Sequence, residues 1–149
     1  MKVVGKLLLV TYVVVNAGCL PERPISTELA RADSVEIVQT VLNDPKLVED
    51  AKQSFDRQPL KMVRYRIIQE NYNLTFADQT VEIVPEDYLD KISESAPKYM
   101  VVTVPMLQAV NTDTVRLSMV VYPGQATFIY TLVKHRDSWQ IKGRESGKL

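Results

Sequence analysis

Position 19 holds the only cysteine of this 149-residue chain, and position 135 the only histidine. One thiol excludes an intrachain disulfide. One thiol with one imidazole falls short of the three or four N and S ligands of an ordinary zinc site. The five glycines never occur as Gly-x-Gly, which removes the glycine-rich loops that cradle phosphates. Gly-x-Ser-x-Gly is absent, and Ser138, His135 and Asp137 crowd onto one short turn where they cannot converge as a nucleophilic triad. Eighteen basic residues balance eighteen acidic ones, so there is no electrostatic case for nucleic acid. The apolar stretch at residues 7–15 is less than half of the about 20 residues that a hydrocarbon crossing needs.

That stretch has a recognisable setting. Lys2 and Lys6 precede it, the small pair Ala17-Gly18 follows it, and Cys19 comes next. A basic start, a short apolar core and small residues at the cut are the parts of an export signal. A lone thiol exported to an oxidising compartment invites intermolecular pairing unless it is consumed. Asn16-Ala17-Gly18-Cys19 resembles the lipobox of bacterial lipoproteins, with Asn16 standing where that family usually has Leu. The resemblance implies a diacylated Cys19 and membrane attachment. With Leu20 and not Asp after the cysteine, it also implies the periplasmic face of the outer membrane. An ordinary signal peptide cut near Ala17, leaving a free thiol, is the alternative. The expected organisation is a signal over residues 1–18, a lipidated Cys and tether over 19–28 in which Pro21 and Pro24 favour an extended spacer, and one α+β domain over 29–149. Without the signal, sixteen basic residues face eighteen acidic ones.

Within the domain, Asp33 followed by Glu36 reads as a capping box, with Val35, Val38 and Leu42 on one face of the following turns. The β-branched stretch 35–42 also fits a strand. Asn43-Asp44-Pro45 predicts a break and a restart, Asp44 capping and Pro45 taking the first helical position. Leu47, Val48, Ala51 and Phe55 then form a packing stripe. Val63, Tyr65 and Ile67 alternate with Arg64 and Arg66, which predicts a strand. Residues 80–84 predict another, and Pro85-Glu86-Asp87 opens a third helix whose inner side is Tyr88, Leu89 and Ile92. Glu86, Asp87 and Asp90 at its start read as a solvated cap. Ala96-Pro97 ends that helix, and residues 99–104 predict a strand cut off by Pro105.

Residues 114–145 are the most regular part. Pairing Val121 with Ala126 sets Met119 against Phe128, Leu117 against Tyr130 and Val115 against Leu132, so one face is entirely apolar or aromatic. A one-residue slip would interleave the faces, which pins the register. The loop between them holds two or four residues around Pro123-Gly124. With Arg136-Asp137 as the next turn, Lys134 faces Trp139, Leu132 faces Ile141 and Tyr130 faces Gly143. The result is a three-stranded meander whose apolar face needs the upstream helices to cover it.

Two helices, one or two strands, a third helix and a run of long antiparallel strands ending in Trp139-Gln140-Ile141 resemble the NTF2-like, cystatin-like fold, a curved sheet wrapped around helices. The rival is a generic α+β domain with helices on one face of an antiparallel sheet. The expected class is therefore α+β, with two or three N-terminal and central helices on a curved antiparallel sheet. Catalytic members of the family use Asp, His or Tyr inside the cone, but His135 falls beside a hairpin tip.

Tyr65, Tyr130 and Trp139 are the candidate pocket residues, because phenols on an apolar face need polar partners when buried. Val120, Tyr122, Ile129 and Val133 make the other sheet face more apolar than a solvated face requires, which marks a candidate interaction surface. The basic residues Lys134, Arg136, Lys142, Arg144 and Lys148 read as solubilising. The functional expectation is a non-catalytic, lipid-anchored envelope protein that binds another protein or assembly component, without cofactor or metal. The alternative is an NTF2-like domain or enzyme with an apolar pocket for a small ligand.

Overall fold

Asp44-Pro45 divides the first helical region as its chemistry dictates. The computed structural model, which describes residues 29, 31–55, 60–92, 100–122 and 125–148, has α1 at Arg31–Leu42 and α2 at Pro45–Ser54. Asp44 is the N-cap of α2, its carboxylate accepting the Lys46 N–H at 3.2 Å with Pro45 just inside the helix. Leu47 and Ala51 are buried, and Val48 and Phe55 pack half-buried beside them. Ile37, Val38, Val41 and Leu42 supply the buried stripe of α1. Cys19, the signal and the tether, together with Pro59, Ala96-Pro97, Tyr99 and the Pro123-Gly124 turn, lie outside the described residues.

The capping box at Asp33 and Glu36 is overturned. Both residues lie within α1, and both reach across to a strand. Asp33 accepts from Lys134 Nζ at 2.8 Å and from the Trp139 indole at 3.2 Å, while Glu36 accepts the Trp139 backbone N–H at 3.0 Å. Trp139 lies on the strand at the sheet edge, where unpaired N–H groups need a partner, so a tertiary contact outcompetes the local cap.

Beyond α2 come β1 (Lys61–Val63), a two-residue hairpin β2 (Thr75–Phe76) and β3 (Gln79–Thr80), β4 (Glu82–Val84) and α3 (Tyr88–Ile92). Four long strands follow: β5 (Val101–Asn111), β6 (Thr114–Tyr122), β7 (Ala126–His135) and β8 (Ser138–Lys148). The main sheet runs β4-β1-β5-β6-β7-β8. The β6/β7 register is as expected throughout: Val121 opposite Ala126, Met119 opposite Phe128, Leu117 opposite Tyr130 and Val115 opposite Leu132.

Four expectations are corrected. The sheet is not purely antiparallel, because β1 lies parallel to both β4 and β5 and its loops to them are long enough for crossovers. The strand expected at residues 63–67 stops at Val63, since Arg66 adopts a left-handed φ of 49° in a turn. Pro105 does not end β5. A register shift between Thr103 and Met106 takes it up, and irregular pairing is where a strand tolerates a residue without an N–H.

The fourth correction lies in β8. Lys134 faces Trp139 and Leu132 faces Ile141, but a bulge intervenes, so Thr131 faces Gly143 and Tyr130 faces Arg144. Two residues then oppose one, and the extra residue turns Arg144 onto the inner face where Gly143 was expected.

The main core fills the space between α1, α2 and the inner face of the sheet, with Tyr130, Leu117, Met119 and Leu132 among its fully buried side chains. Gln39 on α1 holds the β2/β3 hairpin, accepting the Thr75 N–H and donating to the Thr75 carbonyl, both at 2.9 Å. A second, smaller cluster of Val63, Val84 and Val101 lies apart from that core, and Tyr88, Leu89 and Ile92 of α3 pack on it. Helices therefore cover both faces of the β4-β1-β5 end.

Candidate ligand pocket and its polar wall

Residues that α2 presents to the sheet do not all reach it. Between them lies a cavity of about 320 Å³, inside the range of small-molecule sites. From α2 and the residue after it come Leu47, Asp50, Ala51, Ser54 and Phe55, and from the sheet side Met100, Val121, Ala126 and Phe128. The helical spacing places Leu47, Ala51 and Phe55 on one stripe and Asp50 and Ser54 one position to the side. The walls are thus apolar, with one carboxylate and one hydroxyl among them.

Asp50 also belongs to a polar cluster set against this cavity. Arg144 Nη2 donates to Asp50 Oδ2 at 2.6 Å, and Arg144 Nη1 lies 3.7 Å from Asp44 Oδ2. The Tyr130 hydroxyl donates to the same Asp44 oxygen at 3.1 Å. The guanidinium sits 4.5 Å from the centre of the Phe128 ring, a cation–π distance. Its Nε is buried with no hydrogen-bond partner among the described residues.

Each member is positioned by a different device: Asp44 by the helix cap, Asp50 by one and a half turns of α2, Tyr130 by strand alternation, and Arg144 by the bulge. Burial, the largest cause, holds the Tyr130 phenol protonated far above the ordinary tyrosine value. Arg144 nearby works against this, and Asp44 adds to it. Burial opposes the Arg144 charge, but hydrogen bonding to Asp50 and the nearby Tyr130 and Asp44 together outweigh it, so its pKa lies above the arginine norm.

A second polar tie fixes α1 to β7 and β8. The hydrogen bond from Lys134, then that from Trp139, hold the Asp33 carboxyl below its usual range. The same hydrogen bond raises Lys134.

The sequence-predicted residues are dispersed. Tyr130 and Trp139 share the main core, whereas Tyr65 packs half-buried against the separate Val63 cluster, with the Arg66 guanidinium 5.1 Å from its ring. The three aromatics therefore do not line one pocket, because the chain turns at Arg66 and carries Tyr65 to a different cluster. On the outer face, Val120 is buried, Tyr122 packs with the α3 cluster, and Ile129 and Val133 are half-buried. Among the described residues Met106 and Val110 are the exposed large apolar ones, and Val110 is 51% accessible. His135 is exposed at the turn before Ser138.

Sequence reasoning missed Asp50, Ser54 and Arg144. For the first two a signal existed, since they flank the predicted stripe. For Arg144 none did, because only the bulge turns it inward. Among the described residues, no group of three or more His, Cys, Asp or Glu is arranged to hold a metal ion, and no helix is long and apolar enough to cross a membrane.

No family model and no curated protein matches this chain. Among solved structures it is similar to an NTF-2 like protein of unknown function from Silicibacter pomeroyi, at 11% identity over 78% of this chain and 88% of that one, with a TM-score of 0.29. At that score the likeness carries no argument about function.

Proposed function

We propose that this chain is a small-ligand-binding domain that takes a largely apolar molecule into the cavity between α2 and the neighbouring ends of β6 and β7. The observation that carries it is the cavity itself: about 320 Å³, apolar-walled, with Asp50 and Ser54 as its polar groups. Binding without turnover is the proposed activity, since Asp50 and Arg144 are committed to each other and His135 stands at an exposed turn. An NTF2-like assignment of the fold is supported by the element order of two helices, short strands, a third helix and a four-strand meander. The proposed address is the periplasmic face of a bacterial outer membrane through a lipid on Cys19, supported by Lys2, Lys6, the apolar stretch and Ala17-Gly18-Cys19.

A cavity-filling substitution tests the pocket. Ala51 lines the cavity and is buried, so Ala51→Leu places three more carbons inside it. Calorimetric titration with hexanol is expected to show binding by the wild type and a loss of about tenfold or more in the variant, with an unchanged circular dichroism spectrum. Equal affinity in the two would overturn the assignment.

A second reading has its own observation. Met106 and Val110 of β5 are exposed and Ile129 and Val133 of β7 are half-buried, and this supports contact with an envelope protein through the sheet.

A further inference from the structure

The charge at the cavity wall has a sign. Asp44 and Asp50 contribute two carboxylates and Arg144 one guanidinium, so the cluster carries one negative charge more than it neutralises. The members differ in access. The Arg144 side chain is 16% accessible, both its Nη atoms face carboxylates, and it is not among the residues lining the cavity. Asp50 lines the cavity and its side chain is 56% accessible. Among the described residues Arg144 engages only its Oδ2, leaving Oδ1 open to a donor. Ser54 adds a hydroxyl that can accept, and Phe55 an aromatic ring of the kind that attracts cations.

An anionic ligand would have to displace Asp50 from a 2.6 Å ion pair to reach a largely covered guanidinium. A cationic one meets an available carboxylate oxygen and leaves that pair in place. Building on the pocket reading above, we infer that the ligand is an apolar molecule bearing a protonated amine, its body against Leu47, Ala51, Met100 and Val121 and its ammonium group on Asp50.

Three six-carbon probes with different heads test this on the full chain: hexylamine, hexanol and hexanoate, titrated by calorimetry near neutral pH, where an alkylamine is protonated. Hexylamine is expected to bind about fivefold tighter than hexanol, the gain of one partly exposed charge pair, and hexanoate weakest. Asp50→Asn should abolish the preference for hexylamine over hexanol. Raising the salt from about 50 mM to about 500 mM should erode the amine preference in the wild type. That series, with the hexanoate comparison, carries the test if the variant does not fold.

Hexanol or hexanoate binding as well as hexylamine, or an amine preference that survives Asp50→Asn, would overturn the inference while the pocket stands. Failure of all three probes to bind would overturn the pocket reading, and this inference with it.

Discussion

Arg144→Met removes the cation from the polar wall while keeping most of the side chain's apolar stem. Two ion pairs go with it: one at 2.6 Å to a half-exposed Asp50, and one at 3.7 Å to Asp44, whose side chain is only 10% accessible. An exposed pair contributes at most about 1 kcal/mol, whereas stranding a fully buried partner costs about 3–5 kcal/mol. Arg144 lies between those limits, since Asp44 keeps the Tyr130 hydroxyl and the Lys46 N–H. Loss of the guanidinium from the Phe128 face adds about 0.5–1 kcal/mol. The expected destabilisation is about 2–3 kcal/mol, read from urea unfolding followed by the single tryptophan, Trp139. In a double-mutant cycle with Asp44→Asn, which preserves helix capping, about 1 kcal/mol or more should appear as coupling. A variant within about 0.5 kcal/mol of wild type, the range of a neutral surface substitution, would refute the claim that the bulge turns Arg144 inward.

Three other outcomes are expected. Tyr130→Phe deletes the hydroxyl bound to Asp44 and should cost about 1–2 kcal/mol at neutral pH. The folded phenol titrates far above the unfolded value of about 10, so its contribution is complete below that value and lost as pH rises beyond it. Melting temperatures taken above about pH 9 should therefore fall more steeply for wild type than for this variant, and parallel curves would contradict the assignment. Asp33 is shifted the opposite way: its contribution is present above the unfolded value of about 3.9 and lost as pH falls through the lower folded value. Asp33→Asn should thus flatten the loss of stability on acidification from about pH 4 downward, measured by the same unfolding assay. Finally, mass spectrometry of the mature protein is expected to find its N-terminus at Cys19 with acyl chains attached; an unmodified thiol there would remove the proposed membrane attachment.

Local chemistry made some of this legible beforehand. The Asp44-Pro45 restart depends on one cap and one ring, and the β6/β7 pairing depends on strict alternation, so neither needed the rest of the molecule. What failed depends on partners distant in sequence. Asp33 and Glu36 have the spacing of a cap but bind Lys134 of β7 and Trp139 of β8, 101 to 106 residues away. Arg66 adopts a left-handed conformation without the Gly or Asn that would announce it, so the alternation through Tyr65 and Ile67 reads as a strand where the chain turns. Pro105 reads as a strand end and Gly143 as the partner of Tyr130, and irregular pairing in β5 and β8 changes the outcome at each. The pocket was half visible. Its apolar stripe on α2 and the inward Phe128 follow from periodicity, but the aromatic trio assigned to it is split by the turn at Arg66. Its charged wall required knowing that one of five basic residues near the C-terminus is folded inward.

Whether the cavity is the binding site is tested most directly by methyl NMR of the full chain titrated with hexanol. The account predicts shift changes confined to Leu47, Ala51, Met100, Val121 and Ala126, the methyl-bearing apolar residues around the cavity. Changes centred on Met106, Val110 and Ile129, or no changes at all, would contradict it.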